Sequence, residues 1–219
     1  YVATGAKVSE LQVNAVIDHT DSGPVGAIAA HVVSDGTSDT VTVENVSVSG
    51  SIKNSGGAAG ILFGEVGNNG TTPIQIQYRN SGDPQKDIEL TASVEAQYAG
   101  GLAGKTSGPV EVHQTNVFPS GTVTGSVYGG MLAGYLGPDA VLVLEGAENG
   151  LEAKVYGSGA NGGLVGGIEN GTVRQIDGKP IKITGTVEGS TAGGFLGRCA
   201  DTGISLENLT MEATVAGSQ

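Results

Sequence analysis

The 219-residue sequence predicts an all-β protein, a parallel β-helix or β-solenoid, that forms a single domain over residues 1–219. Two observations favour this fold class. A short glycine-rich motif recurs along the chain at nearly constant spacing, which is typical of a repeat architecture. The composition includes 39 glycines, no tryptophan and only 4% aromatic residues, so small side chains stacked between coils must replace a conventional core. We expect about six coils of ~30 residues, each with three short strands.

The recurring motif is clearest at 162–168, which reads Gly-Gly-Leu-Val-Gly-Gly-Ile. The copies align on one position, here called the anchor, which is Gly166 in this copy. The anchors are separated by 34, 40, 30, 32 and 31 residues and are Ala30, Gly64, Gly104, Gly134, Gly166 and Gly197. A glycine also stands four residues before every anchor. Such a repeated glycine indicates either a positive φ or a close approach of stacked backbones.

Side-chain directions follow from the alternation of a β-strand. The positions two before and two after the anchor are mostly apolar and are predicted to face inward, as for Leu132 and Leu164. The position one after the anchor is predicted to face water, because it holds a mixture of residues: His31, Glu65, Lys105, Tyr135, Gly167 and Arg198.

A second module accompanies the glycine motif. Residues 1–20 match the repeat only in part and are predicted to form a first coil or a cap. Residues 35–39 have turn composition, after which 41–52 alternates in polarity for two strands with a corner between them, and 204–215 matches that pattern position by position. Asparagines stand at the equivalent corners, where we expect them to satisfy bent backbone: Asn45, Asn116 and Asn208.

The longest step between anchors contains extra residues at 67–87. Insertions in repeat proteins map to loops, frequently on a binding face. We therefore predict an insertion loop at 67–87, in which Tyr78 and Arg79 are candidate interaction residues. The alternative is a longer turn that contacts no partner.

The position just before the anchor is apolar in every copy: Ala29, Phe63, Ala103, Ala133, Val165 and Leu196. Strict alternation points this row outward, and exposed apolar rows usually mark contacts. The row therefore predicts a docking surface for a neighbouring domain, another rod or a host ligand, with Phe63, Val165 and Leu196 as its largest members. The alternative is that the glycine corner bends the strand and buries both sides.

The formal net charge of −12 repels phosphate backbones, and no run of Lys or Arg compensates for it, so nucleic acid is excluded as a partner. No segment reaches the roughly 20 apolar residues of a membrane helix, so direct membrane insertion is not expected. The first residues lack the features of a signal peptide. We expect either a removed export signal or an excerpt of a longer chain, because 215–219 repeats the approach to a motif core that does not follow.

Known chemical motifs do not fit their required contexts. Residues 157–162 match G-x-G-x-x-G, but the glycine repeat that follows is a poor helix. The three histidines lack H-E-x-x-H spacing and the acidic residues are scattered. Cys199 occupies an inward position and is expected to be a buried, small apolar residue. We therefore predict no catalytic residue, no cofactor and no metal site.

The Gly-Gly-Leu-Val-Gly core, preceded by Thr-Gly-x-Val modules, resembles the GLUG-motif repeats of large bacterial surface proteins over about residues 21–219. Such repeats occur in adhesin-like proteins and in non-catalytic regions of immunoglobulin A metallopeptidases. The first copy departs from the motif, since Ala27 and Ala30 replace glycines. The resemblance implies an extracellular location on a bacterial cell surface, with neighbouring domains of the same chain, a host protein or a glycan as partners.

Functions from different classes stay open at this point. The first is a non-enzymatic structural or adhesive segment of an exported surface protein, acting as a rigid spacer or a ligand-binding rod. The second is a carbohydrate-active β-helix enzyme of the lyase or glycosidase type, and a third is an accessory solenoid of a surface peptidase. Three carboxylates in one groove would favour the enzyme.

Overall fold

The computed structural model describes residues 1–34, 40–68, 74–79, 89–115, 118–145, 150–175, 180–200, 204–205 and 208–218. The regular structure of these residues is β-strand, arranged in one sheet of seven strands and one of fifteen. The strands pair in parallel with their equivalents in the coils before and after them. The predicted parallel β-solenoid is therefore confirmed. Within the described residues no helix is long and apolar enough to cross a membrane.

The seven-stranded sheet, here called sheet A, takes one strand from each coil. From the second strand onward, each begins one residue before its anchor, so the motif marks the entry into this sheet. Numbered in chain order, its strands are β1 (Val2–Ala3), β4 (Ala29–Val33), β6 (Phe63–Gly67), β9 (Ala103–Ser107), β12 (Ala133–Leu136), β16 (Val165–Ile168) and β20 (Leu196–Cys199).

The fifteen-stranded sheet bends around a corner and contains two long ladders, B and C. Both ladders begin with β2 (Lys7–His19) and β5 (Thr40–Gly60), which pass around the corner. Ladder B continues through β7 (Ile74–Arg79), β10 (Val110–Thr115), β13 (Ala140–Glu145), β17 (Thr172–Gln175) and β21 (Ile204–Ser205). Ladder C continues through β8 (Ser93–Gly100), β11 (Val123–Gly130), β14 (Leu151–Tyr156), β18 (Ile181–Gly189) and β22 (Leu209–Gly217).

A short ladder D completes each coil. It consists of β3 (Val25–Gly26), β15 (Ala160–Gly162), β19 (Thr191–Gly193) and the ends of β5, β8 and β11. One coil therefore runs from sheet A through ladders B and C to ladder D and then returns to sheet A, one step along the rod. Residues 1–20 follow the same path and form a first coil.

The core consists of columns of equivalent apolar residues from successive coils. In ladder B one column is Val41, Ile76, Val112, Leu142 and Val173. In ladder C one column is Ile52, Val94, Val123, Val155 and Val187. All ten side chains are buried, and so are the motif leucines Leu132 and Leu164, which confirms their predicted inward direction.

The glycines of the motif lie where two backbones touch. A Cβ on Gly104 would stand 2.5 Å from the backbone N of Ala59 in ladder D, and a Cβ on Gly100 would stand 1.9 Å from the carbonyl O of Ala103. Neither glycine has a positive φ. Of the two roles predicted for the repeated glycine, close backbone approach is therefore the one found.

Part of the prediction for 67–87 is wrong. Residues Ile74–Arg79 form β7, a regular strand of ladder B that pairs with β5 and β10. The alternation of Ile74, Ile76 and Tyr78 explains this strand, because all three side chains are buried in the core. The parts of the predicted loop at 69–73 and 80–87 lie outside the described residues.

The prediction of a buried Cys199 is also wrong, since its side chain is exposed. Cys199 lies on β20, the last strand of sheet A, and pairs in register with Ile168 of β16. Equivalent residues in inner coils, such as Val66 and Leu136, lie between strands on both sides and are buried. Cys199 does occupy the motif position whose side chains face inward, but its strand is at the edge of the sheet, where, among the described residues, no further strand covers it.

The corner between ladders B and C requires left-handed backbone. Asn45 and Asn208 have φ values of 54° and 55°, a conformation that asparagine tolerates better than most residues. Asn45 stacks on Glu10, which has a φ of 58°, and its Nδ2 donates a hydrogen bond of 2.7 Å to Glu10 Oε1. Asn116, the third asparagine predicted at this corner, lies outside the described residues.

Candidate functional site

The apolar row before the anchors is not an exposed docking surface. Phe63 and Val165 are 1% and 0% exposed, and Leu196, on the edge strand β20, is half-buried against the core. Sheet A pairs Ala133, Tyr135 and Leu136 with the next coil but not the anchor Gly134, so the alternation is interrupted there. The chain also bends just before each residue of the row. The alternative prediction, that the glycine corner bends the strand and buries both of its sides, is therefore the one that agrees with the structure.

The two candidates from the predicted loop also separate from one another. Tyr78 is fully buried, its hydroxyl donates a 3.3 Å hydrogen bond to the carbonyl O of Val46, and burial raises its pKa. Arg79 is exposed and lies 3.6 Å from Glu44, which also binds Lys7 at 2.7 Å. The hydrogen bond from Lys7 lowers the pKa of Glu44. These residues stabilise the first coils of ladder B and do not form one surface with Phe63.

The structure instead brings three tyrosines together on the outside of the rod. Tyr98 and Tyr128 are in-register neighbours in ladder D, and Tyr135 follows the anchor Gly134 in sheet A. The ring centroids lie 5.9 Å apart for Tyr98 and Tyr128, 5.9 Å for Tyr98 and Tyr135, and 5.6 Å for Tyr128 and Tyr135. All three side chains are half-buried. We call them the tyrosine cluster.

Backbone packing positions the cluster. A Cβ on Gly134 would stand 2.7 Å from the backbone N of Ala99, so sheet A touches ladder D one residue after Tyr98. This contact places Tyr135 against Tyr98 of the preceding coil. In the next coil Gly167 takes the equivalent place, where a Cβ would stand 2.6 Å from the Tyr128 ring. Glycine at 167 therefore leaves the space that the Tyr128 ring occupies.

Two charged side chains lie beside the tyrosine cluster. Lys105 Nζ lies 5.9 Å from the centroid of the Tyr98 ring, within the range of a cation–π interaction. The Tyr135 hydroxyl donates a 2.7 Å hydrogen bond to Glu169 Oε2. Desolvation, together with this hydrogen bond, raises the pKa of Tyr135, so its phenol is neutral at physiological pH. The cluster thus presents aromatic rings between an ammonium group and a carboxylate.

Sequence reasoning placed Tyr135 outward but missed Tyr98 and Tyr128. A signal for them exists, because both stand six residues before an anchor, in consecutive copies of the repeat. Their contact with Tyr135 depends on how far sheet A is offset against ladder D. That offset is set by the glycine contacts and is not visible in one aligned repeat.

An open groove of about 230 Å³ lies at the bend between ladders C and D, and its lining residues Ala96 and Ser126 each stand two residues before a tyrosine of the cluster on the same strand. Most of the lining residues are small: Ser55, Glu95, Ala96, Thr124, Gly125, Ser126, Gly157 and Ser158. A larger groove of about 430 Å³ lies at the corner between ladders B and C, lined by residues such as Gln12, Ser49 and Thr91.

Ion pairs occupy other outer positions of the rod. On ladder B, Glu111 lies 3.2 Å from His113 and 3.4 Å from Arg174, which reaches across the intervening strand β13. On ladder C, Lys53 pairs with Glu95 at 3.0 Å, and this contact raises the pKa of Lys53. Among the described residues no group of three or more His, Cys, Asp or Glu side chains is placed to hold a metal ion.

Residues 157–162, which match the dinucleotide motif, contain strand β15 and not the start of a helix. The fold and the site together define a β-solenoid protein that carries an aromatic cluster on its outer surface. Comparison of the chain with family models, with curated proteins and with solved structures finds no match.

Proposed function

We propose that this chain is a non-enzymatic structural and adhesive segment of an exported bacterial surface protein, acting as a rod that carries a ligand-binding surface. The GLUG-like motif supports the surface location. The tyrosine cluster is the observation that supports a ligand, because partly exposed tyrosines held in fixed positions are common at binding sites.

The spacer part of this role rests on the strand ladders. Each coil donates backbone hydrogen bonds to the next, as in Leu62 N to Leu102 O at 3.2 Å and Leu132 N to Leu164 O at 2.9 Å. Interior columns are packed from one coil to the next without interruption. Such a stack holds a fixed distance between whatever lies at its two ends.

The adhesive part rests on how the cluster is built. Tyr98 and Tyr128 use equivalent positions of adjacent coils, while the neighbouring coils have Ala58 and Ala160 there. The large rings are therefore confined to one place along the rod. Their aromatic contacts fix the ring orientations before any ligand arrives, which reduces the entropy lost on binding.

Antibody labelling tests the surface location. An antibody raised against residues 1–219 should label intact cells of the source bacterium, and protease treatment of those cells should remove the label. An antibody against a cytoplasmic protein is the control for cell integrity. Labelling that appears only after permeabilisation would overturn the proposed function, whatever the purified rod binds.

A further inference from the structure

We infer that the tyrosine cluster, together with the groove beside it, binds a neutral polysaccharide chain. This inference rests on the proposed function, since a rod that acted only as a spacer would need no ligand surface. Three features carry it: the aromatic rings, the polar groups at their edges and the groove lined by residues of the same two strands.

The rings offer the apolar part of the site. One face of a sugar ring carries mainly C–H groups, which pack against an aromatic face while the hydroxyls remain at the rim. Tyr98, Tyr128 and Tyr135 have centroids 5.6–5.9 Å apart, so the cluster extends over two coils of the rod. Tyrosine suits this contact because its hydroxyl stays available for polar partners.

The edges of the cluster offer hydrogen-bonding groups of both kinds. Lys105 supplies donors beside Tyr98, and Glu169 supplies acceptors beside the Tyr135 hydroxyl. Sugar hydroxyls both donate and accept, so they match such a mixed rim. A few placed polar groups around an apolar surface are the usual composition of a small-molecule site.

The groove extends the site along the rod. Tyr128 and Ser126 lie on the same strand, and the groove wall carries the Thr124 and Ser158 side chains and the Glu95 carboxylate. Ser126 and Ser158 are exposed, and Ser158 Oγ donates to the carbonyl O of Ser126 at 3.4 Å. A ligand longer than one sugar unit is therefore able to contact the rings and the groove together.

Charge and size select among ligands. The net charge of −12 and the Glu169 carboxylate beside the rings disfavour a polyanionic glycan. A stable protein interface buries about 800 Å² per partner around an apolar centre. Here Lys105 borders the Tyr98 ring and Glu169 borders the Tyr135 hydroxyl, and Val127, 39% exposed, is the apolar neighbour of Tyr128 in the chain. A neutral polysaccharide fits this surface better than a protein does.

Affinity electrophoresis of the purified rod tests the inference. The gels contain soluble β-glucan, mannan or xylan as neutral probes, and heparin or polygalacturonate as anionic probes. Binding to immobilised collagen is measured in parallel as a protein probe. Tyr98→Ala and Tyr128→Ala remove rings from the cluster, and Ser158→Phe fills the groove without touching the core. Tyr1→Ala is the matched control, because Tyr1 is exposed and stacks on His31 outside the cluster.

We expect at least one neutral polysaccharide to retard the wild-type rod, with affinity falling about tenfold in the tyrosine and groove variants and unchanged in Tyr1→Ala. Far-UV circular dichroism checks that each variant is folded. If a tyrosine variant does not fold, Ser158→Phe still tests the inference. Absence of retardation by every neutral probe, or equal retardation of all variants, would overturn the inference. Tyrosine-dependent binding to collagen alone would also overturn it, yet would leave the proposed function standing.

Discussion

At the residue scale, the anchor glycines explain why this chain can dispense with a large core. Each removes a side chain so that sheet A and ladder D come into backbone contact, as at Gly104 against Ala59 and Gly166 against Gly129. The interior between the ladders is then narrow enough for valine, leucine and alanine to fill. A motif that looks like flexible, low-information sequence therefore fixes the distance between two sheets.

Gly104→Ala should destabilise the rod by about 3 kcal/mol, the upper end of the cost of overpacking, because backbone atoms and not a movable side chain obstruct the new methyl group. Gly67→Ala is the matched control, since the nearest atom to its Cβ is Ser107 Oγ at 3.8 Å. Urea unfolding followed by circular dichroism measures both. Equal stability of the two variants would show that the glycine contact is not tight.

Tyr78 provides a second prediction at this scale, through its raised pKa. A phenol whose pKa is higher in the folded state stabilises the fold fully below the unfolded pKa of about 10, and this contribution is lost as pH rises above it. Tyr78→Phe has no such proton to lose. Its unfolding free energy should therefore fall less steeply than that of the wild type between about pH 9 and 12. Urea unfolding at several pH values gives both profiles. If the unfolding free energies of Tyr78→Phe and the wild type fall in parallel as the pH rises, Tyr78 is not the group responsible.

At the element scale, strands β7 and β20 show how far sequence reasoning reaches. The alternation of Ile74, Ile76 and Tyr78 was visible, but their position in an unusually long repeat suggested a loop. These residues form a strand because they pair with β5 and β10. The sequence does not show which residues of the 40-residue step lie opposite those two strands. For β20 the pattern was read correctly, but no pattern within one coil reveals that a strand is at the edge.

The edge position of β20 makes Cys199 chemically accessible. In the rod of residues 1–219, the thiol should react with Ellman's reagent without denaturant, at a rate close to that in urea. The chain contains one cysteine, so the absorbance change reports this residue alone. A reaction that requires unfolding would place Cys199 in the core, as the inward pattern originally predicted.

At the scale of the whole molecule, the periodic features were predictable and the site was not. Leu132 and Leu164 repeat at one position of the motif, so a single alignment shows that they share an environment. The tyrosine cluster combines two positions, one in ladder D and one in sheet A, from two consecutive motif copies. Tyr98 meets Tyr135 only because Gly134 touches ladder D beside Ala99. Contacts of this kind follow from the packing of sheets, which the period alone does not specify.

Removal of one entire coil tests this view of the molecule as a stack. Deletion of 104–133 joins Ala103 to Gly134 and leaves an intact motif, because Ala103 and Ala133 are in-register equivalents in sheet A.

The shortened rod should fold, but it should unfold at a lower denaturant concentration than the parent, because one set of coil interfaces is lost. It should also be shorter by about 4.8 Å, the spacing of paired strands. Deletion of 104–118 is the control, because it joins sheet A directly to ladder C and breaks the register of every later coil. Small-angle X-ray scattering gives the length, and circular dichroism gives the stability. If both deletions behave alike, the coils are not interchangeable units and the rod folds as a single indivisible core.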